Sequence, residues 1–169
     1  MHRLAQTTDL HAVHRIYMHD EVVPFLGVEP MPLAEFQPVF DGLLAGGGFH
    51  VVERAGVVQG FYRVQRHAGR AGHTAYLGTL AVLPDAKGTG FAAGMMNDVI
   101  TRLAAEGVLR VELMLEADNP RAMAFYRKLG FEHEGTLRAA YKRAAQEHYV
   151  DEILMSRLLA PLPRAATPG

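Results

Sequence analysis

The chain has 169 residues, of which 49% are apolar and 21% are charged, and its formal net charge is −1. This composition is typical of one soluble globular domain and lacks the basic excess that nucleic-acid binding requires. No apolar run approaches the roughly 20 residues of a membrane span, and the absence of cysteine excludes disulfides and thiolate sites.

The N-terminal half of the sequence predicts a strand, two helices and a pair of strands. Residues 7–9, Thr-Thr-Asp, are N-cap types, and apolar residues at helical spacing follow them. Prolines and glycines interrupt 22–32, which is typical of a loop. The predicted elements are a strand over 1–6, helices over about 10–18 and 33–45, and two strands that flank a turn at Ala55–Gly56.

The C-terminal half predicts four further strands and two helices, and the helices flank the second of these strands. An apolar strand stops at Pro84, and a stripe of apolar residues defines the helix that follows. Asn119 is the predicted cap of the second helix, with Pro120 at its first position and Gly130 at its end. The predicted elements are strands over 74–83, 110–117, 136–144 and 149–159, helices over about 91–106 and 120–129, and a disordered tail over 160–169.

This order of elements predicts an α/β (α+β) fold. The expected sheet is mixed and mostly antiparallel, has about seven strands, and carries two crossover helices. We expect a single domain over residues 1–159. The β-rich C-terminal end leaves a sheet edge that favours pairing into a homodimer.

The glycine-rich stretch at residues 88–92, Gly-Thr-Gly-Phe-Ala, stands at the predicted start of a helix. Glycine weakens a helix, but here it lets a ligand approach the main chain closely. The unpaired N–H groups and the positive dipole end of a helix N-terminus favour phosphate. Lys87 adds a positive charge at the rim. The alternative is a turn in which the glycines serve only tight packing.

Two common phosphate-binding motifs fit this stretch poorly. Gly88–Ala92 with Ala93 fits the dinucleotide pattern G-x-G-x-x-G/A, but five residues separate it from its strand and too few strand–helix units follow. A P-loop would need Gly-Lys-Ser/Thr, which is missing. An oxidoreductase that binds a nucleotide is therefore only a third alternative.

Two blocks of the sequence resemble the GNAT acyl-CoA N-acyltransferases. Residues 87–92 are similar to the pyrophosphate loop of that family, Gln/Arg-x-x-Gly-x-Gly/Ala, with Lys87 where Gln or Arg is usual. Residues 119–131 are similar to its Asn-x-x-Ala-x-x-x-Tyr-x-x-x-Gly-Phe block. The closing stretch resembles the bacterial amino-acid, RimJ/RimL-like and phosphinothricin N-acetyltransferases. The resemblance implies a GNAT-like sheet with helices on both faces.

The resemblance also implies a site for acetyl-CoA as the acyl donor. Two strands, 74–82 and 110–117, should splay apart so that the pantetheine arm fills the gap. Tyr126 is the candidate acid for the departing sulfur, with packing in the core as its alternative role. The implied donor-binding residues are Leu80, Ala81, Val82, Lys87, Gly88, Thr89, Gly90, Phe91, Ala92, Asn119 and Tyr126.

The acceptor side is defined less sharply. Many relatives carry a glutamate on the strand before the loop, and this strand has no carboxylate. Glu116 is our candidate base, with Asp118, Glu21 or a water chain as alternatives. Apolar contacts are expected from Phe25, and an acceptor carboxylate would need a cation, for which Arg63, Arg138 and Lys142 are candidates.

The sequence therefore predicts an N-acetyltransferase acting on a primary amine by direct attack in a ternary complex. A free amino acid or similar small amine is the expected acceptor. A non-catalytic CoA-binding domain and a protein N-terminal acetyltransferase remain alternatives. No histidine spacing resembles a zinc site, so no metal is expected. Residues 1–10 lack the apolar stretch of a secretory signal, and we expect a cytoplasmic protein without nucleic-acid or membrane partners.

Overall fold

The computed structural model describes residues 1–163 of the chain. Disorder was predicted for residues 160–169, and residues 164–169 of that stretch lie outside the described residues. The regular elements are β1 (His2–Leu4), α1 (Leu10–Tyr17), α2 (Leu33–Ala45), β2 (Phe49–Arg54), β3 (Val57–Arg66), β4 (Thr74–Val82), α3 (Phe91–Ala105), β5 (Arg110–Glu116), α4 (Pro120–Lys128), β6 (Glu132–Tyr141) and β7 (Val150–Leu158).

All seven strands form one sheet in the order β1-β2-β3-β4-β5-β7-β6. Every neighbouring pair is antiparallel except β4 and β5, which are parallel. The predicted mixed, mostly antiparallel sheet is confirmed. β1 and β6 are its edges, and the predicted pairing of the β-rich end with a second copy stays a prediction.

Helices cover both faces of the sheet, as predicted. Successive side chains of a strand point to opposite faces, and β3 shows this at Phe61 and Tyr62. Phe61 packs in a core with α1 and α2, whereas Tyr62 packs in a core with α3 and α4. Both side chains are fully buried.

A β-bulge in β4 reverses which face its side chains occupy. The register between β3 and β4 shifts beyond Phe61, and Thr79 has a positive φ of 47°. An extra residue in one strand flips all later side chains to the other face. As a result Leu77 faces the α3–α4 core, whereas Ala81 faces the α1–α2 core.

The two central parallel strands separate after a short pairing. Thr74–Tyr76 pairs with Arg110–Glu112, and no pairing with β5 follows along the rest of β4. Each strand keeps its outer antiparallel partner, so the gap opens inside the sheet rather than at an edge. The predicted splay of these two strands is thus present.

One strand, β6, differs from the sequence-based prediction. β6 begins at Glu132, four residues before the predicted start at Thr136. Most of its residues are exposed, so the alternation of buried and exposed residues that reveals a strand is absent.

Within residues 1–163, no helix is long and apolar enough to cross a membrane, and no three His, Asp or Glu side chains are grouped to hold a metal ion.

Candidate active site

The loop before α3 presents main-chain N–H groups without partners. Gly88 and Gly90 have φ values of 76° and 80°, the left-handed region in which glycine carries no steric penalty. Within residues 1–163, four N–H groups in this loop and the first turn of α3 have no acceptor, those of Gly88, Gly90, Ala92 and Ala93. They lie at the positive end of the α3 dipole.

The space in front of this loop is open. A Cβ atom built on Gly88 or Gly90 would meet no heavy atom within 4 Å. The Thr89 hydroxyl holds the loop from inside, because it donates to the Ala86 carbonyl at 2.7 Å and accepts from the Phe91 N–H at 3.3 Å. The residues present therefore fit a diphosphate, since several donors are unpaired, accessible and fixed by the loop itself.

Lys87 makes an ion pair that the sequence did not indicate. Its ammonium contacts the Glu21 carboxylate, which belongs to the segment after α1. The hydrogen bond from Lys87 lowers the pKa of Glu21, whose side chain is 58% exposed. A lowered pKa makes a carboxylate a weaker base. The structure thus places Glu21 beside the glycine loop, where it tethers the segment after α1.

Main-chain groups near the end of β4 face the gap between the strands. The Leu83 N–H donates to the Gln59 carbonyl at 2.8 Å, and Gly60 lies opposite Val82. Bonded and non-bonded pairs alternate in an antiparallel ladder, so Ala81 bonds to β3 while Val82 points away from it. The N–H of Val82 is therefore turned toward the gap, and Leu80 is the next outward position, beside the bulge.

The gap between β4 and β5 forms a cavity of about 440 Å³. Residues from β4, β5, α4, the loop after α1 and the two C-terminal strands line it. The predicted site residues among them are Phe25, Leu80, Glu116, Asn119 and Tyr126. The structure adds Tyr76, Tyr141 and Glu152, which were not predicted.

Tyr126 reaches the cavity from α4. The Asn119 side chain caps this helix by accepting from the Ala122 N–H at 3.0 Å, as predicted. The Tyr126 ring packs edge-on against Phe125 and Phe131, and only 9% of the residue is exposed. Burial raises the pKa of its hydroxyl, and within residues 1–163 that hydroxyl has no hydrogen-bond partner. Tyr126 is thus a neutral donor with its proton free.

Glu116 is a buried carboxylate at the end of β5, with 7% of the residue exposed. Burial raises its pKa to about 6, and the negative charge of Glu152 acts in the same direction. Its own main-chain N–H and the positive charge of Arg143 oppose that rise. A carboxylate with this pKa is ionised at neutral pH and still basic enough to take a proton.

Arg143 joins the loop after α1 to the C-terminal strands. It contacts Asp118 through two hydrogen bonds of 2.6 and 3.0 Å and donates to the Pro24 carbonyl at 2.9 Å. Its guanidinium lies over the Phe25 ring, 5.4 Å from the centroid. The ion pair lowers the pKa of Asp118, so Asp118 is a poorer candidate base than Glu116.

The cations predicted for an acceptor carboxylate lie elsewhere. Arg63 donates to the Gly47 carbonyl at 3.1 Å and packs against the loop after α2. Arg138 is exposed on β6, and Lys142 lies over the Tyr149 ring. None of the three lines the cavity. Sequence reasoning missed Arg143 because its role depends on how the C-terminal strands fold back.

A model of the acetyltransferase (GNAT) family matches residues 10–131 of the chain. The chain belongs to the GNAT acetyltransferase family. The resemblance carried by residues 87–92 and 119–131 is thereby confirmed at the level of the family.

Individual relatives of this GNAT chain are distant. It is 35% identical over 84 residues to a mycothiol acetyltransferase of Streptomyces griseus subsp. griseus, a match that covers 50% of this chain and 27% of that protein. The chain spans between 25% and 38% of the first curated relatives it matches.

Solved structures share the fold of this GNAT chain over nearly its whole length. The ribosomal-protein-S18-alanine N-acetyltransferase from Escherichia coli has a TM-score of 0.73 at 22% identity, and the match covers 99% of this chain and 98% of that one. A phosphinothricin acetyltransferase from Sinorhizobium meliloti, solved in complex with AcCoA, has a TM-score of 0.71 at 22% identity and covers 94% and 88%. At these identities the likeness shows the fold alone.

Proposed function

We propose that this chain transfers the acetyl group of acetyl-CoA to a primary amine by direct attack in a ternary complex. One observation carries the proposal. β4 separates from β5 so that a cavity lined by Tyr126 and Glu116 lies beside it, and it leads directly into the glycine loop with its unpaired N–H groups. We extend the proposal to a single domain over residues 1–159 that acts in the cytoplasm.

The chain would hold the donor at two places. The N–H groups of Gly88, Gly90, Ala92 and Ala93 would bind its diphosphate, with the positive charge of Lys87 at the rim. The outward main chain at Leu80 and Val82 would pair with its amide-containing arm. When bound, acetyl-CoA supplies the activated acyl group. The Val82 N–H would then stabilise negative charge on the acyl oxygen, an effect typically worth roughly 3 kcal/mol.

Tyr126 would donate a proton to the departing sulfur. A tyrosine hydroxyl and a thiol have ordinary pKa values of about 10 and 8.5. Burial raises the pKa of the Tyr126 hydroxyl, and the same surroundings raise that of a thiol, because burial disfavours both anions. The transfer therefore stays only moderately uphill, and the free proton of Tyr126 can move as the sulfur becomes negative.

Glu116 would take a proton from the incoming ammonium. The α-ammonium at a peptide N-terminus has a pKa of about 8, and a lysine-like ammonium has one of about 10.4. With the pKa of Glu116 at about 6, transfer is uphill by about 3 kcal/mol for the first and about 6 kcal/mol for the second. Glu116 thus favours weakly basic α-amines.

The protons balance in this scheme. The amine nitrogen bonds to the acyl carbon, and the carbon–sulfur bond breaks. Of the three ammonium protons, one leaves through Glu116 to water, one replaces the proton that Tyr126 gives to sulfur, and one remains on the amide. The products are the N-acetyl amide, free thiol and one released proton.

Acceptors with an α-amine include free amino acids, which the sequence led us to expect, similar small amines, and protein N-termini. A solved neighbour is named for acetylating a ribosomal-protein alanine.

We test the function by mixing the protein with acetyl-CoA and a panel of amino acids, amino-acid amides, short peptides and polyamines, and measuring free thiol. Release above hydrolysis with at least one amine supports the proposal. Tight CoA binding with no release from any acceptor contradicts it and favours a non-catalytic CoA-binding domain.

The glycine loop gives a matched pair of variants. Gly90 has a φ of 80°, whereas Gly94 lies inside α3 without a positive φ, and a Cβ on either would meet open space. Gly90→Ala should raise the KM for acetyl-CoA by about 10-fold, because alanine is strained at positive φ and the loop must rearrange. Gly94→Ala should leave that KM unchanged and raise the stability by about 1 kcal/mol. Steady-state kinetics and thermal melts measure both, and equal KM values for the two variants would contradict the assignment of the loop.

A further inference from the structure

We propose that Glu152 determines which amines this enzyme accepts. Together with Glu116, it selects acceptors whose amine has no free carboxylate beside it, such as amino-acid amides and peptide N-termini, over free α-amino acids. This inference rests on the proposed function and concerns the acceptor end of the same cavity.

The two carboxylates face each other across neighbouring strands. Glu116 on β5 and Glu152 on β7 are directly opposite in the antiparallel register, and both line the cavity. Residues opposite each other in such a pair have side chains within reach of one another. Like charges placed this way repel unless a positive charge lies between them, so the pair is suited to hold a cation.

Among the described residues, no positive charge is paired with either carboxylate. Within residues 1–163, neither Glu116 nor Glu152 forms an ion pair or a hydrogen bond with another residue's side chain. Glu116 is more than nine-tenths buried and still lines the cavity. Buried charges are normally paired, so an unpaired carboxylate aimed at a cavity indicates that the ligand supplies the cation. An acceptor ammonium is that cation.

Charges on the surrounding elements leave the cavity negative. Residues 74–82 of β4 carry no charged side chain. Arg143, the nearby cation, is bound to Asp118 by two hydrogen bonds, so these two charges offset each other. Tyrosines at positions 76, 126 and 141 complete the lining, and their ring faces attract cations and not anions. An acceptor carboxylate would meet two negative charges and no free positive one.

The experiment compares alanine, alaninamide and a tripeptide amide that begins with alanine. With wild-type enzyme we expect kcat/KM for alaninamide to exceed that for alanine by at least about 10-fold, an effect that like charges several ångströms apart readily produce. The tripeptide amide shows whether the enzyme prefers a peptide N-terminus or a small amine among acceptors without a neighbouring carboxylate. A higher kcat/KM for alaninamide or for the tripeptide amide than for alanine supports the inference.

Glu152→Gln is the diagnostic variant. It should reduce the alaninamide-to-alanine ratio by about 5-fold or more, mainly by raising kcat/KM for alanine. The amine basicity of each substrate is the same whether wild type or Glu152→Gln is assayed. The change in the alaninamide-to-alanine ratio between the two enzymes therefore reports the charge of the pocket. Removing the Glu152 charge also removes one influence that raises the pKa of Glu116. The acid limb of kcat/KM should therefore move to lower pH, which a merely structural role would not cause.

Glu132→Gln on the exposed part of β6 is the matched control and should change neither the ratio nor the pH profile. Unchanged CoA binding shows that Glu152→Gln is folded, and a wild-type ratio near one would overturn the inference even if that variant does not fold. Two results would overturn the inference. One is an equal kcat/KM for alanine and alaninamide with wild-type enzyme, and the other is a ratio that Glu152→Gln leaves unaltered. Absence of thiol release with every acceptor would instead contradict the proposed function itself.

Discussion

Tyr126→Phe is expected to lower kcat by about 10²- to 10⁴-fold, the range that general-acid catalysis contributes. The hydroxyl is a free proton donor in the cavity, and phenylalanine removes it while keeping the ring that packs between Phe125 and Phe131. The KM for acetyl-CoA should change little, because the donor is held by the loop at 87–92. Thiol release under saturating substrates measures the effect.

Tyr149→Phe is the control for this substitution. Tyr149 is 61% exposed and lies outside the cavity, so its variant should keep the wild-type kcat. A Tyr126→Phe enzyme within about 2-fold of wild type would show that Tyr126 only packs in the core, the alternative role that its aromatic neighbours allow. Water would then have to protonate the sulfur.

Glu116→Gln is expected to lower kcat/KM by about 10²-fold or more and to abolish its acid limb. Glu116 must be ionised to accept a proton, and its pKa is about 6. The activity of the wild-type enzyme should therefore fall as the pH drops through about 6, whereas the variant should show no such fall. The pH dependence of kcat/KM with a neutral-pH reference measures this difference.

The same substitution should stabilise the fold. Burial raises the pKa of Glu116 from 4.5 to about 6, so the folded protein binds more protons than the unfolded chain between these values. Stability then falls by about 2 kcal/mol as the pH rises through this window, and glutamine avoids the loss. At pH 7.5 the variant should melt about 4–8 °C higher than wild type. Glu132→Gln should shift neither the melting temperature nor the pH profile. An active variant that retains the limb near pH 6 would exclude Glu116 as the base.

Features encoded in adjacent residues could be predicted from the sequence. The Asn119 cap and the helix start at Pro120 depend on the local backbone alone, and both were predicted. The splay of β4 and β5 followed from the family resemblance rather than from any local pattern, and the structure contains it.

Features that depend on register or on distant segments could not be predicted. Glu152 faces Glu116 only because β7 lies antiparallel to β5 in one register. Arg143 reaches Pro24 across 119 positions of sequence. Arg63 was a candidate for the acceptor site, yet its guanidinium fills the space beside Gly46. Residue type identifies a cation, but the tertiary fold decides what it faces.

A crystal structure of the protein with bound CoA tests the central claim most directly. We predict the diphosphate within hydrogen-bond distance of the N–H groups of Gly88, Gly90 and Ala92, and the sulfur in the cavity beside the Tyr126 hydroxyl. CoA bound at another surface, with these N–H groups facing solvent and the gap between β4 and β5 empty, would contradict the account.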